Sequence, residues 1–155
     1  LNDGQKLLAV NDLYVGPRLP VSARYEIAYA GRKELQSSSG VLVSTGLGST
    51  GWLRSVLTGA STISGGSECQ EILKNGIAWD TDELVFSVRE PFPSQMTGTD
   101  IVFGKIEPKE CLTLTSRMAD GGVLFSDGVI GDAIEFNSGV AVEIRLAQQV
   151  GNLIV

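Results

Sequence analysis

The sequence predicts a mainly β fold, mostly antiparallel sheet with one or two short helices, and three observations carry that reading. From Val21 to Tyr29 the residues Val21, Ala23, Tyr25, Ile27 and Tyr29 alternate with Ser22, Arg24 and Glu26, the period of two that a half-buried strand requires. From Ile101 to Ala147 short apolar runs recur at near-regular spacing between Gly, Pro, Asp and Asn, as in antiparallel sheet. One stretch, Val41 to Val56, VLVSTGLGSTGWLRSV, reads as strand, glycine-hydroxyl turn and helix.

In chain order, Leu7 to Val15 is a strand candidate interrupted by Asn11 and Asp12, a pair that marks either a bulge or groups aimed into a site. Gly16, Pro17 and Pro20 end it. Ala30-Gly31-Arg32 is a hairpin turn leading into Lys33 to Ser38. A helix is expected over Trp52 to Leu57, followed by Thr58 to Glu68, whose Gly and Ser content reads as a mobile surface loop. Asp80, Asp82 and Glu83 read as solvated acids before the strand Leu84 to Val88, with a cation site as the alternative. Arg89 to Asp100 holds two of the five prolines and reads as a long connection. Ile101 to Glu107, Cys111 to Arg117, Val123 to Ser126 and Val140 to Ala147 complete the strand candidates. Asp120-Gly121 and Asp127-Gly128 are turn dipeptides. The terminal Leu153-Ile154-Val155 is apolar enough to pair or dock. Without an internal repeat or boundary, 1–155 is expected to be one domain.

Composition narrows the function. The length suits one domain able to bury a core, and 43% apolar content is ordinary for a globular chain. Twelve basic against 18 acidic residues give a net charge of −6, which argues against an unaided nucleic-acid or anionic-membrane surface. No apolar run approaches the ~20 residues that span a bilayer, and no basic-then-apolar leader opens the sequence. A cytoplasmic location is therefore expected. Cys69 and Cys111 read as reduced, mostly buried thiols rather than a disulfide or zinc pair. The absence of histidine removes Ser-His-Asp and Cys-His nucleophiles and His-ligated metals. The chain opens at Leu1 rather than at a methionine, so a fragment or processed product is expected.

Gly46-Leu47-Gly48-Ser49-Thr50-Gly51 fits the spacing of a dinucleotide-binding loop, and Glu68 or Glu71 stands near the ~20-residue position of a ribose-binding acid. A Rossmann unit must return to a parallel strand within about 30 residues, and the strands that follow read as antiparallel. A Walker loop is excluded because no Lys follows the last glycine and position 52 is Trp. The glycines still leave backbone N–H groups at a helix start, suited to an anion or a ribose oxygen.

The order AVNDLYV, hairpin, SSGVLVSTGLGSTGW, VREPFPS, VLFSDG and VEIRLA resembles the C-terminal domain of the ATP-dependent NAD kinase family over nearly the whole chain. The most specific part is Ser44-Thr45 followed by Gly48-Ser49-Thr50. The resemblance implies a two-sheet, sandwich-like β domain. It also implies that Asn11 and Asp12, matching the family's Asn-Glu pair, contact the dinucleotide, with Thr50, Gly51 and Trp52 in place of Thr-Ala-Tyr and Ser55 lining the same pocket. Amides, short carboxylates and hydroxyls can bind ribose hydroxyls and adenine edges, and an aromatic face can cover a base. Four positions depart from the family pattern. Its Gly-Asp-Gly aspartate is Ser39, its proline is Gly46, its tyrosine is Trp52 and its glutamate is Asp12.

In the family the phosphoryl-transfer base and the phosphate-gripping motif, Gly-Gly-Asp-Gly, sit in a preceding α/β domain, and that motif has no counterpart in this sequence, so no catalytic residue is assigned to this chain. The expectation is an NAD-binding domain of an NAD-kinase-like phosphotransferase that presents the adenosine 2′-hydroxyl of NAD for conversion to NADP. ATP and Mg would be held by a missing N-terminal α/β domain, in a homo-oligomer, with neither nucleic acid nor membrane as partner. A non-catalytic nucleotide-sensing or oligomerisation module, or a sugar or lipid kinase of related architecture, is the alternative.

Overall fold

A computed structural model describes residues 1–65 and 70–149, residue 71 by its backbone only. The described residues form ten strands: β1 (Asp12–Pro17), β2 (Ala23–Tyr29), β3 (Arg32–Ser38), β4 (Val41–Ser44), β5 (Leu84–Val88), β6 (Phe103–Ile106), β7 (Leu112–Ser116), β8 (Gly122–Ser126), β9 (Val129–Glu135) and β10 (Ala141–Ile144). Two helices, α1 (Trp52–Ser64) and α2 (Gln70–Asn75), stand between β4 and β5, with a 3₁₀ turn at Gly48–Thr50 ahead of α1. The strands form a six-stranded sheet in the order β6-β5-β4-β1-β8-β9 and a four-stranded sheet in the order β10-β7-β2-β3. The paired strands run antiparallel, as the sequence predicts.

The inward positions of both sheets make one core. Leu13 and Val15 of β1, Val41 and Val43 of β4 and Phe86 of β5 meet Tyr25 and Ile27 of β2 and Leu112 and Leu114 of β7. The opposite face of the larger sheet is also covered. Leu42 and Val85 pack under Leu53 and Leu57 of α1, with Ile72, Leu73 and Ile77 beside them. Burial on both faces explains why Val41-Leu42-Val43 is an unbroken apolar run rather than an alternation. Inside the core the Tyr25 hydroxyl lies 3.0 Å from Gln36 Oε1 and 2.7 Å from Ser38 Oγ. This satisfies the only polar atom the buried ring brings with it.

Several expectations are corrected. The first strand begins at Asp12 and includes Gly16 and Pro17. Thr58 to Ser64 is helix, not loop: the Thr58 and Thr62 hydroxyls donate to the Arg54 and Thr58 carbonyls at 2.7 and 2.8 Å. The helix stops only at Gly65, whose φ of +63° supplies the left-handed cap. Cys111 is exposed, because Leu112 and Leu114 take the inward parity. Strand β9 carries no periodic signal, since most of its residues are exposed on an edge. The Ala30-Gly31 and Asp127-Gly128 turns are two-residue hairpins, and all four residues have positive φ. Glu68, Cys69 and Leu153-Ile154-Val155 lie outside the described residues. Among the described residues no helix is long and apolar enough to cross a membrane.

Candidate functional site

The start of β1 and the β4–α1 turn are locked together. The Asn11 carbonyl accepts the Thr45 N–H at 2.9 Å and its hydroxyl at 3.2 Å, and that hydroxyl also reaches the Val10 carbonyl at 2.7 Å. The Gly48 N–H donates to Thr45 Oγ1 at 3.1 Å. A Cβ at Gly48 would run into the Asn11 backbone, so glycine there permits the close approach of two chain segments. The Asn11 side chain projects outward, exposed.

Across the same loop, the Asp127 carboxylate accepts the N–H groups of Val10, Asn11 and Asp12 at 3.0, 2.7 and 3.1 Å. Asp12 faces Ser44 across the β1–β4 ladder, and its Oδ1 is buried without a hydrogen-bond partner. Burial pushes its carboxyl above the ordinary value of 3.8, the Ser44 hydroxyl opposes this, and the Asp127 charge adds to it. A half-buried carboxylate beside an exposed carboxamide forms a polar pair suited to a hydroxyl donor from outside the chain.

Thr50 and Gly51 are exposed at the end of the 3₁₀ turn, and Ser55 is exposed one helical turn into α1. Gly51 caps α1 with no side-chain hydrogen bond and no acid stands in the first turn, leaving the positive helix end open. Trp52 is differently engaged. Its ring stacks on Tyr14 at 5.5 Å and lies 6.5 Å from Phe125, and the Arg89 guanidinium sits 5.4 Å from its centroid. The turn thus brings Asn11, Asp12, Thr50 and Gly51 to one end of β1, while Trp52 is built into an aromatic cluster on the outer face of the sheet.

Beyond that cluster, on the same face, is a pocket of ≈ 330 Å³ lined by Tyr14, Phe125, Arg18, Arg89, Ile130 and Ser39 among others. Of the six site residues expected from sequence, none lines it. The Tyr14 hydroxyl donates to the Ser39 carbonyl at 2.9 Å; burial raises its pKa above 10.0, against the pull of Arg89. Tyr14 and Phe125 line the pocket instead, each with the outward parity beside inward Leu13, Val15 and Leu124. Gly46 is buried, and a Cβ there would run into the Ala78 carbonyl, so a proline at this position would clash with the 76–80 segment.

No protein-family model and no curated protein sequence matches the chain. Solved structures do. An NAD kinase from Archaeoglobus fulgidus, determined in complex with ATP, superposes with a TM-score of 0.62 at 17% identity, covering 92% of this chain and 47% of that one. Yeast NADH kinase, complexed with NADH, superposes with a TM-score of 0.56 at 15% identity, covering 87% and 33%. The chain therefore has the fold of the C-terminal domain of NAD kinases and spans less than half the length of these two enzymes.

Proposed function

We propose that this chain is the NAD-binding domain of an NAD-kinase-like phosphotransferase and presents the adenosine 2′-hydroxyl of NAD for phosphorylation, without completing the catalyst by itself. The observation that carries the reading is the half-buried Asp12 carboxylate set beside the outward Asn11 carboxamide and the open start of α1. In this reading Asp12 accepts a ribose hydroxyl, Asn11 reads a polar edge of the nucleoside, and the Thr50 and Ser55 hydroxyls supply further polar contacts, while Gly51, whose N–H is taken by the Gly48 carbonyl at 2.9 Å, leaves the turn without a side chain for a close approach. Trp52 contributes through the aromatic wall it forms with Tyr14 rather than as a free stacking face.

Among the described residues no three of Asp, Glu and Cys converge as a cation site needs. In this reading ATP and magnesium are held by an N-terminal α/β domain. Asp80 and Asp82 are exposed, and Glu83 is paired with Lys105 at 2.9 Å. The purified chain is expected to bind NAD weakly in calorimetry and to form no NADP from NAD and ATP. Heat of NAD binding absent at millimolar concentration overturns the nucleotide reading, and NADP formation overturns the half-enzyme part of it.

Exposed Leu19, Val21 and Ile130 around the pocket, beside the edge strand β9, favour a homo-oligomer as a second element of the reading. Sedimentation equilibrium tests it. A cytoplasmic location is part of the same proposal.

A further inference from the structure

We propose that Asp127 is the positioning residue of this site, fixing through the backbone of Val10, Asn11 and Asp12 the direction in which the Asn11 carboxamide and Asp12 carboxylate meet a nucleotide. The inference rests on the nucleotide reading above. Three consecutive N–H groups, more than a hundred residues away in sequence, converge on one carboxylate: Oδ1 takes Asn11 and Asp12, and Oδ2 takes Val10. The Asp127 N–H in turn donates to the Asp12 carbonyl at 2.8 Å. On the other side of the same loop the Asn11 carbonyl is held by Thr45. The two site side chains thus leave a backbone fixed from both directions, which removes the freedom a ligand would otherwise have to freeze.

A hairpin turn alone explains none of this. Asp127 and Gly128 have φ of +52° and +74°, a requirement that asparagine meets as well as aspartate. The second carboxylate oxygen is what the turn does not need. In Asp127→Asn either orientation of the carboxamide puts an NH₂ against at least one of the three N–H groups, donor against donor, while the turn is kept.

The experiment is Asp127→Asn in the 155-residue chain, with Asp120→Asn at the other Asp-Gly turn as control. Amide hydrogen exchange at Val10, Asn11 and Asp12, thermal unfolding and NAD calorimetry are read together. The expected result is exchange about tenfold faster at one or more of these amides, unchanged exchange at Tyr14 and Val15, a near-unchanged Tm and NAD affinity about fivefold weaker. The control leaves all of these as in the wild type. Unchanged exchange, or faster exchange with NAD affinity intact, overturns the positioning role. Failure of the wild-type chain to bind NAD is a different result, visible before the variant is made, and it overturns the functional reading on which this one stands.

Discussion

Glu34 and Asp12 are carboxylates in two strands of the same sandwich, and the fold treats them oppositely. Glu34, on β3, accepts the N–H groups of Asp100 and Ile101 at 3.1 and 2.9 Å and the Gln36 amide at 2.5 Å. Gly98 packs against it, and a Cβ there would meet the carboxylate where it now stands. Burial acts to raise its pKa, but the Ile101 N–H, the Gln36 amide and the Asp100 N–H outweigh it, and the carboxyl ends below the ordinary 4.5. Asp12, on β1, keeps an oxygen buried and unpaired and ends above the ordinary 3.8. A carboxylate whose donors are all internal clamps a loop. One left short of donors costs stability where it stands, and a binding site is where such a cost is retained.

The largest effect tests whether the Asp12 region is rigid at all. Gly48→Ala should destabilise the chain by about 3 kcal/mol, because its Cβ meets backbone that cannot swing away. Thermal unfolding reads the loss, and a Tm near that of the wild type would show the contact to be soft. Next, Glu34→Ala should cost about 1–2 kcal/mol, since it strips two loop N–H groups of their acceptor at a partly solvated position. The clamp also sets a pH dependence. With the folded pKa depressed, its contribution is fully present above 4.5 and is lost as pH falls through the lower folded value. The smallest effect has the opposite sign. Asp12→Asn should stabilise the chain at pH 7 by on the order of 0.5 kcal/mol after solvent screening. Because the folded pKa is raised, that gain shrinks as pH falls through the raised value and is gone below 3.8. Denaturant midpoints from pH 3 to 7 would separate the two carboxylates, and slopes of the same sign would break the contrast.

Part of this was legible in the sequence. The alternation in Val21 to Tyr29 and the positive-φ turns at Ala30-Gly31 and Asp127-Gly128 are local signals, and local signals gave the strands and hairpins. Helix α1 was cut short because Thr58, Gly59, Ser61 and Thr62 have loop-like composition, whereas their helical state depends on hydroxyls returning to the preceding turn and on Leu53 and Leu57 docking on the sheet. Strand β9 exists only through its pairing with β8, which no property of its own residues announces. At the site, Asn11 and Asp12 stood out as polar residues in an apolar run. Asp127 did not, because its bonds span more than a hundred residues, nor did Tyr14 and Phe125, whose outward parity matters only because α1 covers that face of the sheet.

The central claim is that the polar end of β1 is shaped for a nucleotide, and Asn11 tests it most directly because its side chain is exposed and makes no hydrogen bond to the described residues. Calorimetric titration of NAD into the wild-type chain and into Asn11→Ala should show affinity about fivefold or more weaker in the variant, at an unchanged Tm. Equal affinity in the two proteins would contradict the account and remove Asn11 from any site on this face.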